Sequence, residues 1–443
     1  MAFTYRQAIA AIAEAVKFGI HPSLDTVIAM TRALGEPQKA YTCVQVTGTN
    51  GKSSTSRMIA ALLSAERVSV GLYTSPELLS YTERIEIDGR AISEEGFAAG
   101  IEVALDAARR AGVAPTEFEL LTVAALWLYR EKGVQIAVLE AGMGGRWDAT
   151  SVVVPEVSVI TGVGLDHMEF LGSTLEAIAT DKSHIIKHSS RTVLGPGTRG
   201  LEEIFLERAR EMDSDCVAVR PAGTPTPCPA SSTARFAITA RPDSPTGHTT
   251  VRVDSLLASY GETTICAPAY QAGNAATAIA ATEAVLRRAL DPASATAALS
   301  AVSVPGRFQC VATDPYVILD GAHNPQAAAV LAGAMRDAWP DPENRPVVVL
   351  GVLADKDAEG IVSALTPVAC GFVCVAPDSP RALDAEALAE TVRHFAGTKP
   401  RVAGSVASAL DLVHAEDKRD IVVTGSLRTV AEGLLWSHSR QRP

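Results

Sequence analysis

Apolar positions recur at helical spacing over residues 5–18, which predicts an amphipathic helix near the start of the chain. A short strand, Cys43–Val46, then runs into the turn Thr47-Gly48-Thr49-Asn50-Gly51-Lys52-Ser53-Ser54, and an Ala/Leu-rich helix follows to Leu63. Val68–Tyr73, Gln135–Glu140 and Val157–Thr161 read as further strands, with helical stretches at 98–111, 119–132 and 173–187 between them. Strands alternating with helices specify a parallel sheet covered on both faces. Residues 220–250 break this rhythm: they are rich in Pro, Thr and Ser, and predict loops and short antiparallel strands. An Ala-rich helix at 272–289 leads into a second α/β series, with strands Tyr316–Leu319, Val347–Leu350, Gly371–Val375 and Ile421–Thr424. No internal repeat is visible. The expected organisation is an α/β domain over residues 1–300 and a smaller Rossmann-like α/β domain over 301–443.

Composition narrows the class without naming it. With 443 residues, 47% hydrophobic and 20% charged, the chain can build packed cores and is not broadly disordered. A net charge of −11 argues against a nucleic-acid partner and leaves any anionic substrate dependent on local positive sites. The seven cysteines are scattered and contain no CxxC pair, so neither a zinc knuckle nor a disulfide framework is expected. The N-terminal segment lacks a basic start followed by an unbroken apolar run, and no apolar stretch approaches a membrane span. The expectation is a soluble protein of a reducing compartment, cytoplasmic, with no membrane partner.

The turn after the first strand carries the strongest chemical signal. A general phosphate loop reads G-x-x-x-x-G-K-[ST], and Val46 stands at its first glycine position. The segment still offers Gly48 and Gly51 for close backbone approach, a helix N-terminus facing an anion, Lys52 for terminal phosphates and the Ser53 and Ser54 hydroxyls for Mg²⁺. A plain glycine turn with a surface lysine is the alternative; the Gly-Lys-Ser ending between a strand and a helix weighs against it. Glu140 ends a buried strand and His167 follows another, at the edge where open parallel sheets place their ligands. Lys182, beside Asp181, reads on residue type alone as a solvated helix-surface charge.

Val46-Thr47-Gly48-Thr49-Asn50-Gly51-Lys52 resembles the nucleotide loop of the Mur ligase superfamily. Further segments narrow the resemblance to the folylpolyglutamate synthase/dihydrofolate synthase family. They are Thr74–Leu78 with Tyr81–Ile85, Thr116–Glu119, Leu139–Thr150, Leu165–His167 with Leu171-Gly172, and Asp181-Lys182 with Ile185–Lys187. Asn274, Pro305–Phe308 and Asp320–Pro325 complete the series, which spans nearly the whole chain in the family's order. Departures from the family pattern occur at Ser53, Glu77, Ser151, Ser183-His184 and Tyr270, which stand where the family commonly has Gly, His, Asn, Ala-Gly and His.

The resemblance implies a P-loop-bearing central domain with a parallel sheet, and an ATP-dependent amide ligase. Such an enzyme adds L-glutamate to dihydropteroate, to reduced folates or to both, through an acyl phosphate. It implies ATP contacts at Thr49, Asn50, Gly51, Lys52, Ser53, Ser54, Asn274, Arg307 and Asp320, and acceptor or glutamate contacts at Thr116, Phe118, Asp148 and Ser426. It also implies Mg²⁺, two ions, on Ser75, Glu140, His167 and Lys182, with Lys182 carbamylated by CO₂ to become an anionic donor. Lys52, His167, Lys182 and His323 are the implied catalytic set. Two other readings stay open from residues alone: a Mur-type ligase for a UDP-linked cell-wall precursor, and a non-catalytic ATP-binding switch. The oligomeric state is not legible, with a monomer as the expectation.

Overall fold

The computed structural model describes residues 3–15, 22–224, 232–265, 268–397, 399–416 and 418–440. The chain forms two compact units: residues 1–237, 251–263 and 273–302 make the first, and 238–250, 264–272 and 303–443 the second.

The large sheet is built from β1 (Thr42–Thr47), β2 (Val70–Tyr73), β3 (Ile85–Ile87), β4 (Arg90–Ala91), β5 (Ile136–Glu140) and β6 (Val157–Gly162). It continues with β7 (Arg191–Gly197), β8 (Asp215–Pro221), β9 (Ser232–Ala240), β10 (Thr249–Asp254) and β11 (Ser259–Ile265). Their order is β11-β10-β9-β8-β7-β6-β1-β5-β2-β3-β4. β1 lies centrally, parallel to β5 on one side and to β6 on the other. Its apolar residues occur on both faces because helices cover both, which is why the strand reads as a continuous run rather than an alternation.

Cys43, Ala137 and Leu139 enter one core with Ala8, Ile12, Phe97, Ile101, Leu121 and Tyr129, contributed by the helices Tyr5–Ala15, Glu94–Ala111 and Glu117–Glu131. Further along the sheet, Ile160 and Leu194 pack with Ile178, Ile186, Phe205 and Ala209. Val44, Val46 and Val138 alternate to the opposite face and are fully buried there. The helix Lys52–Ala65 packs on β1, β2 and β5.

The smaller sheet comprises β12 (Gln309–Thr313), β13 (Tyr316–Leu319), β14 (Val347–Leu350), β15 (Gly371–Cys374), β16 (Arg401–Val402) and β17 (Ile421–Thr424), in the order β12-β13-β17-β14-β15-β16. β13, β17, β14, β15 and β16 are parallel, and β12 is an antiparallel edge. Ile318, Val348, Leu350 and Val422 share a core with Leu331, Met335, Ile361 and Leu388. The mixed α/β class expected from the alternation is therefore observed in both units.

One expectation is corrected in detail. The antiparallel strands expected in 220–250 include β9, which instead joins β8 in parallel through Val217↔Ser232 to Pro221↔Phe236. The Pro/Thr/Ser-rich composition marks the connection between strands, part of which lies outside the described residues, and carries no information on pairing direction. The first helix is described over Tyr5–Ala15, with residues 16–18 outside the described set. Among the described residues no helix is long and apolar enough to cross a membrane. Cys43, Cys216, Cys310, Cys370 and Cys374 are free thiols.

Gly71 on β2 shows how tightly the first core is packed. A Cβ there would lie 2.6 Å from the ring of Tyr129, itself fully buried. Gly71→Ala is expected to destabilise the protein by about 1–3 kcal/mol through overpacking, measured by chemical denaturation.

Candidate active site

The site begins where β1, β5 and β6 end side by side. After Thr47 the chain turns through Gly48, whose missing Cβ leaves room for the Thr161 hydroxyl of β6. Thr161 Oγ1 donates to Asn50 O at 2.6 Å, Thr49 N–H donates to Gly162 O at 3.0 Å, and Thr49 Oγ1 donates to Gly164 O at 3.0 Å. Gly51 then opens the helix Lys52–Ala65 in a left-handed conformation, φ 83°, and a Cβ on it would come within 2.7 Å of Asn274 Oδ1. The first amides of a helix have no intrahelical acceptor, which suits such a helix start to a phosphate. Lys52 Nζ donates to Gly48 O at 3.0 Å and Thr49 O at 3.3 Å, so its charge sits over the loop.

Glu140, at the end of β5, is 1% exposed. Ser53 Oγ donates to its Oε1 at 2.8 Å, and Ser75 N–H donates to its Oε2 at 3.3 Å. A carboxylate oriented in this way by neutral donors is a suitable oxygen ligand for a hard cation.

The glycine-rich segment that follows is tied down on both sides. Thr47 Oγ1 donates to Gly144 O at 2.5 Å and Ser151 Oγ to Gly145 O at 2.5 Å. Gly145 N–H donates to Asp181 Oδ1 at 2.8 Å. Asp148 is buried, and its oxygens are taken up locally, accepting from Met143 N–H at 2.9 Å, Thr150 N–H at 3.0 Å and Thr150 Oγ1 at 2.5 Å. Burial pushes its carboxyl pKa up, and these donors oppose the shift.

Gly48, Thr49, Lys52, Gly142–Gly144, Asp166, His167, Leu171 and Lys182 line a small cleft. His167 adopts a left-handed conformation, φ 52°, with its N–H donating to Asp166 Oδ1 at 3.0 Å and its Nε2 3.8 Å from Asp166 Oδ2. Lys182 is 3% exposed, so the surface-charge reading from residue type alone does not describe it. Burial, reinforced by the positive charge of Lys52, lowers its pKa to about 7 against the opposing pull of Asp181, Asp148 and Asp166.

Beside the glycine-rich segment, Thr116 caps the helix Glu117–Glu131 in a reciprocal capping box with Glu119. The Phe118 ring lies against Gly142, where a Cβ would meet it at 2.8 Å, and 5.9 Å from the Tyr73 ring. Glu77 pairs with the buried Arg84, which also reaches Glu117 at 3.4 Å and lies over the Tyr81 ring at 5.2 Å.

In the second unit, Asp320 directly follows β13. Its Oδ1 accepts from Ala322 N–H at 2.9 Å, and its Oδ2 from Phe308 N–H at 2.8 Å and Tyr270 Oη at 3.4 Å. Burial raises its pKa, and Arg307 works against that shift. Arg307 Nη1 donates to Gly306 O at 3.1 Å and occupies the space that a Cβ on Gly321 would need. His323 Nδ1 lies 2.8 Å from Gly321 O. Ser426 is buried, 2.7 Å from Thr429 Oγ1, and its Oγ accepts from Thr429 N–H at 3.1 Å, starting the last helix. Asp357 likewise caps a helix, accepting from Gly360 N–H at 2.9 Å.

The first unit thus gathers Thr49, Asn50, Gly51, Lys52, Ser53 and Asn274 around one loop. It groups Glu140 with Ser53 and Ser75, and His167 with Lys182 and Asp166. The second gathers Arg307, Asp320 and His323. Thr161 and Gln45 carry no motif signal, being ordinary strand residues in sequence, and only their contacts reveal them. Among the described residues no three His, Cys, Asp or Glu side chains converge. That donor set fits Mg²⁺, which keeps water and phosphate oxygens in its shell, better than a cation needing an all-protein cage.

A phosphate loop on a doubly covered parallel sheet, followed by a second α/β unit, defines a Mur-type architecture. Residues 46–195 match the Mur ligase middle domain and residues 306–427 the Mur ligase glutamate ligase domain. A Mycobacterium tuberculosis dihydrofolate synthase/folylpolyglutamate synthase is 34% identical over 455 residues, covering 93% of this chain and 89% of the relative. The structure of E. coli FolC with DHPP and ADP superposes with a TM-score of 0.84 at 28% identity, covering 99% of this chain and 98% of that one. A bifunctional folylpolyglutamate synthase/dihydrofolate synthase with Mn, AMPPNP and L-glutamate bound superposes with a TM-score of 0.83 at 26% identity, covering 98% of each chain. The chain belongs to the folylpolyglutamate synthase/dihydrofolate synthase family of the Mur ligase superfamily.

Gly144 has φ +65°, and a Cβ there would fall on Asp181 Oδ1 and 2.8 Å from Leu171. Gly144→Ala is expected to cost about 1–3 kcal/mol in stability by denaturant titration, from backbone strain and the displaced Asp181.

Proposed function

We propose that this protein is an ATP-dependent ligase that joins L-glutamate to a dihydropteroate-type or reduced-folate acceptor. The observation that carries this reading is the arrangement at the ends of β1, β5 and β6. There the phosphate loop with Lys52 and the buried Glu140 with its Ser53 and Ser75 donors share one sheet edge. The relatives support the substrates by what they contain: DHPP and ADP in one, Mn, AMPPNP and L-glutamate in another.

An acceptor carboxylate oxygen attacks the γ-phosphorus of ATP, the bond to the bridging oxygen breaks, and ADP leaves. The amine of glutamate then adds to the acyl carbon, loses a proton to solvent, and phosphate departs, leaving the amide. Attack of one anion on another requires positive charge and N–H donors concentrated at the phosphates. Lys52 and the first amides of the helix Lys52–Ala65 meet that need, and Arg307 and Asn274 are further nucleotide contacts. Mg²⁺, two ions, would be held by Ser75, Glu140, His167 and a modified Lys182, and supplies charge neutralisation at the phosphates when bound.

His323 and Asp320 serve the nucleotide and glutamate side. Thr116, Phe118, Asp148 and Ser426 serve acceptor or glutamate binding, Asp148 by shaping its loop. Both ligase activities, on dihydropteroate and on folates, fall within this reading. Relatives named dihydrofolate synthase/folylpolyglutamate synthase or folylpolyglutamate synthase favour the folate reading over the UDP-linked alternative. A reducing compartment such as the cytoplasm suits the free thiols.

Purified protein with ATP and Mg²⁺ is expected to release ADP and phosphate only when both acceptor and glutamate are present, and Lys52→Ala to abolish that release. AMP and pyrophosphate as products would exclude the acyl phosphate. For Lys182, the neutral amine adds to CO₂: a nitrogen–carbon bond forms, a proton leaves to solvent, and a carbamate remains. Protein equilibrated with ¹³C-labelled CO₂ is expected to show a carbamate carbon resonance that Lys182→Met removes; a spectrum without that resonance rejects the modification.

A further inference from the structure

Gln45 sits inside β1, opposite Leu139 and Ser158, and is completely buried. The site just described leaves it without a role. Its Nε2 donates to Thr150 Oγ1 at 2.9 Å and to Ser151 Oγ at 2.9 Å. Each hydroxyl passes its own proton outward, Thr150 to Asp148 Oδ1 and Ser151 to Gly145 O, both at 2.5 Å. The direction of this relay follows from chemistry. A carboxylate and a carbonyl can only accept, so both hydroxyls must donate to them, and each hydroxyl is left needing a donor from Gln45. Only the NH₂ end of the amide supplies two. Gln45 Oε1 has no hydrogen-bond partner among the described residues, a cost that a leucine of similar volume would not carry.

From this geometry we infer that Gln45 is a positioning residue for the glycine-rich loop 142–148. By fixing two hydroxyls as outward donors, it holds the Asp148 carboxylate and the Gly145 carbonyl in place. Through them it sets the course of the loop against Phe118 on one side and the Lys182 cleft on the other. Ser151 is a working part of the relay, and it stands where the family pattern commonly has Asn. The inference rests on the ligase reading, with the loop as part of the acceptor site.

Gln45→Glu is the discriminating change, since it keeps the shape but turns two donors into acceptors. Each hydroxyl must then turn back toward residue 45, releasing Asp148 or Gly145. The KM for dihydropteroate is expected to rise about tenfold or more, while the KM for ATP stays within about twofold. Calorimetry is expected to show the same loss in acceptor binding. An unchanged acceptor KM, or equal rises for acceptor and ATP, would overturn the assignment. Should Gln45→Glu fail to fold, Ser151→Ala cuts one arm of the relay beyond the strand and carries the same expectation, with an unchanged acceptor KM again decisive. Absence of acceptor-dependent turnover in the wild-type protein would instead count against the ligase reading itself.

Discussion

Backbone must touch backbone at the ends of the central strands, and the rest of the site depends on that closeness. A Cβ on Gly48 would occupy the Thr161 hydroxyl, and one on Gly162 would lie 2.8 Å from Gly197 Cα. With no Cβ at these glycines, the Thr49 amide donates directly to Gly162 O, and the Thr49 and Thr161 hydroxyls donate to Gly164 O and Asn50 O across the same gap. The loop is therefore pre-formed, with its donors fixed before any anion arrives. Such preorganisation lets donors and charges act without reorganisation during reaction.

Around that frame the charges are arranged with little redundancy. Glu140 is buried and accepts from the Ser53 hydroxyl and the Ser75 amide, which orient its two oxygens at the end of β5. Lys182 is buried close enough to Lys52 that the two ammonium groups disfavour each other. Asp181 works through its backbone contacts to Gly145 and Arg146, as an anchor for a loop. Carboxylates of the same formal charge thus do different work because their donors differ.

The second unit solves a related problem with other parts. Asp320, Gly351 and Ser426 follow three adjacent parallel strands, β13, β14 and β17. Asp320 is desolvated and braced by two backbone amides, and Ser426 is spent on capping a helix whose Thr429 reaches Gly351 O at 2.8 Å. Arg307 and His323 are steered by short contacts to Gly306 O and Gly321 O.

Much of this was legible from residue order. Alternating apolar runs and helical periods located β1, β2, β5, β6, β13, β14, β15 and β17 within a residue or two, since burial on both faces imposes continuous apolar strands. The glycines and lysine of 48–52 announced a phosphate loop because only glycine permits that approach. Pairing direction was not legible at β9, for a strand's composition is the same whichever way its neighbour runs. Lys182 was open to two readings, a solvated charge by residue type and a metal-site residue by family resemblance, and its burial argues against the first. Thr161 and Gln45 read as ordinary strand residues. Hydrogen bonds to partners some hundred positions away along the chain decided their roles. Local pattern records which residues must be buried or must turn. Which distant groups share a proton is settled only when the sheet brings them within three ångströms, because that interaction depends on distance and direction alone.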